Sequence, residues 1–215
     1  MIPYRFTIIA KEGWPPIIIC IVFALILQYV FGWLFASVIW LLVVVLMFLF
    51  RDPPRKVPPS PLALVAPVDG KVIAVRKGSG PYLERETIAI KIRASATGVY
   101  TVRSPNEGKV LEQWFSNPPN VSDLVSEKDR MDLQFAQWVK TDEGDDIVVV
   151  LKPRVRIGKS RCYVHSGERI GQGQRCTFVP FGANTEMFIP DRSHLEVKEG
   201  DIVRAGETVV ATLAR

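Results

Sequence analysis

Residues 50–72 read FRDPPRKVPPSPLALVAPVDGKV, and the character of the chain changes across them. Upstream, residues 17–50 contain no charged side chain; downstream lies nearly all the charge of the protein. Four prolines within residues 51–60 make a stiff linker between the two parts. From residue 62 onward, short apolar runs alternate with Gly, Pro and Asp, which is strand punctuation. Over 215 residues the chain is 48% hydrophobic and 23% charged, the average of two unlike materials. That mixture excludes a uniformly soluble enzyme, a disordered chain and a polytopic transporter.

The apolar run is 34 residues long, opened by Pro15-Pro16 and closed by Arg51-Asp52-Pro53-Pro54. It is too long for a cleaved signal peptide and lacks a small-residue cleavage site. As one straight helix it would measure about 50 Å against a hydrocarbon core of roughly 30 Å. Its soft point is residues 28–32, which hold its amide, Gln28, and its glycine, Gly32. A break there predicts a transmembrane helical hairpin; a single steeply tilted helix is the alternative. Basic residues flank both outer ends, which places both on the cytoplasmic side. The expected organisation is a membrane anchor and basic linker over residues 1–56, then a cytoplasmic domain over residues 57–215.

In that domain the pattern predicts strands at 62–66, 71–76, 87–93, 99–103, 108–114, 146–151, 161–164, 176–180, 186–189, 194–197 and 208–213. Residues 121–139 are expected to be helical, after a loop at 117–120. The fold class is mainly β: a barrel-like or half-barrel antiparallel domain. Two similar segments, Ala66-Pro67-Val68-Asp69-Gly70-Lys71-Val72 and Gly200-Asp201-Ile202-Val203-Arg204-Ala205-Gly206-Glu207, open and close it. Each sets glycine at a tight turn beside β-branched residues, as in lipoyl-type half-barrels. A carrier domain needs its modified lysine at a hairpin tip, whereas Lys71 begins a strand. These turns are scaffold.

The net charge of +5 is concentrated near the apolar run, where residues 1–56 carry five basic residues against two acidic ones. This points to anionic lipid headgroups rather than nucleic acid. Cys20, Cys162 and Cys176 are too scattered for a disulfide framework or a zinc cluster, and His165 and His194 lack partner ligands at useful spacing. No metal is expected. Lys152, Arg154 and Arg156 recur with period two, and Lys159 and Arg161 follow. In an extended chain the first three share one face, suited to a lipid phosphate or simply solvated. Trp114, Phe115 and Trp138 suit either an acyl groove or core packing.

Several motifs in order resemble one family. Phe50-Arg51-Asp52-Pro53-Pro54-Arg55 is similar to FFRDPxR, and Pro67-Val68-Asp69-Gly70-Lys71-Val72 to PADGKV. Val99-Tyr100-Thr101-Val102-Arg103-Ser104-Pro105 with Gly108-Lys109-Val110 is similar to VHVNRAP…GKV. Residues 147–151 resemble the VVVQ strand, and Gly171-Gln172-Gly173-Gln174-Arg175 a glycine turn. Phe181-Gly182-Ala183-Asn184-Thr185-Glu186 stands where FGSRVD is expected, and residues 200–208 match GDxVxAGET. Together they resemble the short bacterial and archaeal phosphatidylserine decarboxylases, over nearly the whole chain.

The resemblance implies pyruvoyl chemistry. In that family a serine hydroxyl attacks the carbonyl of the preceding glycine, and the resulting ester eliminates and hydrolyses. The chain is cut, and the new N-terminus carries a pyruvoyl group that serves as electron sink for decarboxylation. The motifs set Ala183 at the serine position, so the cut at Gly182-Ala183 and the pyruvoyl group are not expected. Tyr100 stands at the histidine position and Gly158-Lys159 at the paired arginines, while Asp69 is retained, as an acid or as a turn residue. Thr185 offers a displaced hydroxyl. The implied reading is a bacterial inner-membrane pseudoenzyme that binds membrane phospholipid, forms a homo-oligomer, or partners an active relative. An active decarboxylase with unusual maturation, making phosphatidylethanolamine, and a structural membrane adaptor are the alternatives.

Overall fold

The structure, a computed structural model, describes residues 8–115, 135–155 and 160–214. It comprises two compact units, Met1–Pro54 and Arg55–Arg215.

In the first unit a 3-10 turn, Lys11–Gly13, leads into α1 (Trp14–Phe31), and α2 (Trp33–Leu49) follows. Pro15 and Pro16 sit in the first turn of α1, where missing N–H groups cost nothing. The break falls at Gly32, whose φ of 82° a side chain would strain. The helices run antiparallel: Ala10 N–H donates to the Phe50 carbonyl at 2.8 Å, and Ile9 bridges Arg51. Ala24 and Ala36 are fully buried in the seam, small enough to let the helices approach closely. Trp40 Nε1 donates to Gln28 Oε1 at 3.2 Å, so the amide that marked the soft point staples the helices. The hairpin expected from sequence is therefore the observed arrangement. Lys11–Phe31 is long and apolar enough to cross a membrane; α2 is shorter.

The second unit contains β1 (Ala63–Val65), β2 (Gly70–Ser79), β3 (Glu86–Ala94), β4 (Thr101–Arg103), β5 (Gly108–Trp114), β6 (Phe135–Thr141) and β7 (Asp146–Pro153). It continues with β8 (Arg161–Cys162), β9 (Arg169–Ile170), β10 (Arg175–Phe178), β11 (Ala183–Pro190), β12 (His194–Leu195), β13 (Ile202–Val203) and β14 (Val209–Thr212). The pairings are antiparallel. Eight strands curl into a half-barrel in the order β13-β2-β3-β11-β7-β6-β5-β9, accompanied by three-stranded sheets β1-β14-β12 and β4-β10-β8. Alternation builds the core: Ile88, Ile90 and Ile92 of β3 point inward, with Met187 and Ile189 of β11 and Val149 and Leu151 of β7. The opposite face carries a smaller cluster of Tyr82, Ala89, Val148, Val150 and Phe188, with Trp114 and Trp138 packed against it.

The mainly β half-barrel is as expected. One sequence expectation is corrected: residues 135–139, read as the end of a helix, are strand within β6. The rest of that expected helix, residues 121–134, lies outside the described residues. A hairpin turn with Gly144 at φ 93° joins β6 to β7, and the ladder between them overrides local helical spacing.

Gly70 of the PVDGKV motif is required by close approach, because a Cβ there would overlap the Arg93 carbonyl across the β2–β3 ladder. Gly70→Ala should therefore destabilise the β unit by about 2–4 kcal/mol, read as a lower denaturation midpoint. An unchanged midpoint would mean that the strands separate without cost.

Candidate functional site

Three segments converge on the turn before β11. Phe181 and Gly182 both adopt left-handed backbone, with φ 62° and 79°. For a phenylalanine that is strained, on the order of 1–3 kcal/mol, and the surroundings must hold it there. The Gly182 N–H donates to the Val179 carbonyl at 3.0 Å, and its own carbonyl accepts from the Arg154 N–H at 3.1 Å. Tyr100 provides a wall: its ring lies 5.8 Å from Phe181 and 6.4 Å from Phe178, and a Cβ built on Gly182 would reach its edge at 4.0 Å. Burial raises the Tyr100 hydroxyl above its ordinary pKa, with Arg154 pulling the other way, so it stays protonated at neutral pH.

Asp69 reaches the site through the backbone. Its Oδ2 accepts from Arg55 at 2.8 Å and from the Val99 N–H at 3.3 Å, and its Oδ1 accepts from the Ala205 N–H at 2.8 Å. Asp69 thus ties the linker, the residue before Tyr100 and the closing turn together. Arg55 also approaches Glu207 at 3.5 Å. The sequence carried a signal for this in its two matching end segments, but Arg55 read only as a linker charge.

Ala183 is 1% exposed and opens β11 opposite Pro153. Its methyl group follows the Gly182 carbonyl, which accepts from the Arg154 N–H. Two residues on, the Thr185 hydroxyl points to the Ala183 carbonyl at 3.5 Å, and the residue pairs with Ile92 on one side and Leu151 on the other. A peptide locked in a central ladder lacks the distortion of the Phe181-Gly182 turn.

Of the basic cluster, Lys152, Arg154 and Arg161 lie among the described residues. Lys152 is buried, its Nζ bonded to Glu186 Oε2 at 2.9 Å, whereas Arg154 and Arg161 are exposed. Lys152 lies on the outer side of the sheet beneath neighbouring groups, and its charge is neutralised internally. Arg156, Gly158 and Lys159 lie outside the described residues. Tyr82 joins the buried pair: burial and the Glu186 charge both push its hydroxyl well above the ordinary value. Sequence reasoning missed Glu186 and Tyr82, although a carboxylate between Asn184 and Phe188 on the outer positions of β11 was the available signal.

His165 and His194 are exposed, as expected of surface histidines. Cys176 is buried, and burial pushes its thiol up to about 12, so it is inert. Trp114 and Trp138 stack at 6.5 Å within the outer apolar cluster, which favours packing over a groove; Phe115 is 67% exposed.

The family model for phosphatidylserine decarboxylase matches residues 44–211. The chain is 36% identical over 209 residues to the phosphatidylserine decarboxylase proenzyme of Nitrosomonas europaea, covering 97% of this chain and 96% of that one. Against the proenzyme of Nitrosomonas eutropha it is 35% identical over 208 residues, with the same coverage. Against that of Burkholderia ambifaria it is 33% identical over 210 residues, covering 98% of both. No solved structure matches. With the match spanning the half-barrel and the turn at Gly182-Ala183, the chain belongs to the phosphatidylserine decarboxylase family.

Proposed function

We propose that this chain is a membrane-anchored member of the family that does not form the pyruvoyl group. It acts by binding membrane phospholipid or by partnering an active relative. The observation that carries the reading is Ala183. The turn has a strained Phe181 and a glycine carbonyl polarised by a backbone N–H, and Asp69 is bonded to the Val99 N–H beside Tyr100, yet the residue after the glycine offers a methyl group. Without a hydroxyl there is no ester, no elimination and no chain cut. The residues present do not fit the pyruvoyl group.

The anchor is supported by the surface of the helical hairpin. Ile18, Ile19, Leu25, Phe35, Leu41 and Val44 are exposed around the pair, a surface suited to hydrocarbon rather than water. Trp33 and Tyr29, beside Gly32, and Trp14, at the opposite end, occupy positions favoured at membrane interfaces.

Mass spectrometry of the purified chain tests the first part, with a single species near 24.1 kDa expected. Two fragments, the smaller beginning at residue 183 or 185 with a blocked N-terminus, would overturn it. For the anchor, tags at the two termini should both be reached from the cytoplasmic side. A tag on Met1 reached from outside alone would establish a single span instead.

A further inference from the structure

Outside the site, the outer face of β2 and β3 carries three exposed cations. The register places Lys71 directly opposite Arg93, and a bulge between Val72 and Ala74 brings Arg76 onto the same face, opposite Ala89. All three are exposed, and among the described residues none makes an ion pair. Like charges facing each other across a ladder destabilise it. Two carboxylates border β2, Glu199 accepting from the Val75 N–H at 3.0 Å and Asp201 from the Lys198 N–H at 2.8 Å, and among the described residues neither makes an ion pair with these cations.

The row extends to β13, where Ile202 lies opposite Lys71 on the same face and is 81% exposed. A bare isoleucine next to unpaired cations is wasteful toward water and unsuited to a free phosphate. It matches a bilayer surface, where cations meet anionic headgroups and the apolar side chain enters the interface. Lys152 itself is not available for this purpose, since it is paired with Glu186.

We propose that the face formed by Lys71, Arg76, Arg93 and Ile202 docks onto an anionic bilayer. This deepens the membrane-anchored, phospholipid-binding reading and rests on it. A tethered domain meets the surface at high effective concentration, so modest contacts suffice. Three cations together favour an anionic over a neutral surface by roughly a hundredfold.

The test uses the full chain reconstituted in vesicles of phosphatidylcholine alone or with phosphatidylglycerol. A water-soluble acetylating reagent reports each lysine by mass spectrometry. Lys71 should react about fivefold or more slowly in the anionic vesicles, recovering at high salt. Lys77, exposed on the opposite face of β2, is the internal control and should not change. Arg76→Gln with Arg93→Gln should abolish the protection, and Ile202→Ser should weaken it, with Lys77 labelling unaltered. Equal Lys71 reactivity in both vesicles, or protection that persists in detergent without lipid, would overturn the docking face while leaving the anchor intact. A chain that fails to float even with neutral vesicles would instead overturn the anchored reading, and with it the docking.

Discussion

Ala183→Ser alone is expected to leave the chain at a single mass at neutral pH, whereas Ala183→Ser combined with Tyr100→His should split it after Gly182. The backbone half of the reaction is in place: Phe181 and Gly182 hold left-handed conformations, and the Arg154 N–H polarises the Gly182 carbonyl. What the single variant lacks is a group to take the serine proton. Tyr100 is buried and held above its ordinary pKa, so at pH 7 it has no basic form to offer. A positioned imidazole is worth about 10²–10⁴ in rate, which is the ratio expected between the two variants. Their pH dependence separates the causes. Cleavage of the double variant should level off above roughly pH 6.5, as the imidazole becomes neutral. Residual cleavage of the single variant should keep climbing toward and beyond pH 10, because the phenol deprotonates only there. If Ala183→Ser matured as fast as the double variant, Tyr100 would not limit the reaction. Cleavage of the parent chain would remove the pseudoenzyme reading altogether.

The sequence exposed the parts of this molecule that depend on local order and hid those that depend on register. The hairpin break was legible because Gly32 is a local necessity, and strands such as β3 and β11 were legible because their apolar residues alternate. The half-barrel followed from many short runs and from Gly-containing end segments. Residues 135–139 were misread because their apolar residues extend the helical spacing of the segment before them, and only the ladder to β7 makes them strand. The candidate site was legible as far as motif order reached, at Asp69, Tyr100, Gly182 and Ala183. The strain at Phe181 was not, since φ is set by the surrounding turn. Period two correctly put Lys152 on one side of β7, but it carries no information about what covers that side. The face that is both basic and bare depends on a bulge in β2 and on the pairing with β13, neither of which a linear pattern reveals.

Lys152→Met should destabilise the β unit by about 3–5 kcal/mol, the second large effect expected here. The substitution removes one member of an ion pair in which Lys152 and Glu186 are 9% and 5% exposed, respectively. The methionine replaces the aliphatic stem almost isosterically, so packing changes little. The Glu186 carboxylate is the difficulty, because it remains in the sheet without its ammonium, close to the buried Tyr82 hydroxyl that its charge already disfavours ionising. Glu186→Gln in the same chain should recover most of the loss, since a neutral amide needs only hydrogen bonds where the carboxylate needed a counter-charge. The pair therefore forms a double-mutant cycle with a large coupling, measured by denaturation of the parent, the two single variants and the double variant. Additive losses would mean that the two side chains do not depend on each other. Lys152 would then be free to act as the surface cation that period two suggested. A loss confined to Lys152→Met and reversed by Glu186→Gln fixes it as an internal partner, which leaves membrane contact to cations elsewhere on the domain.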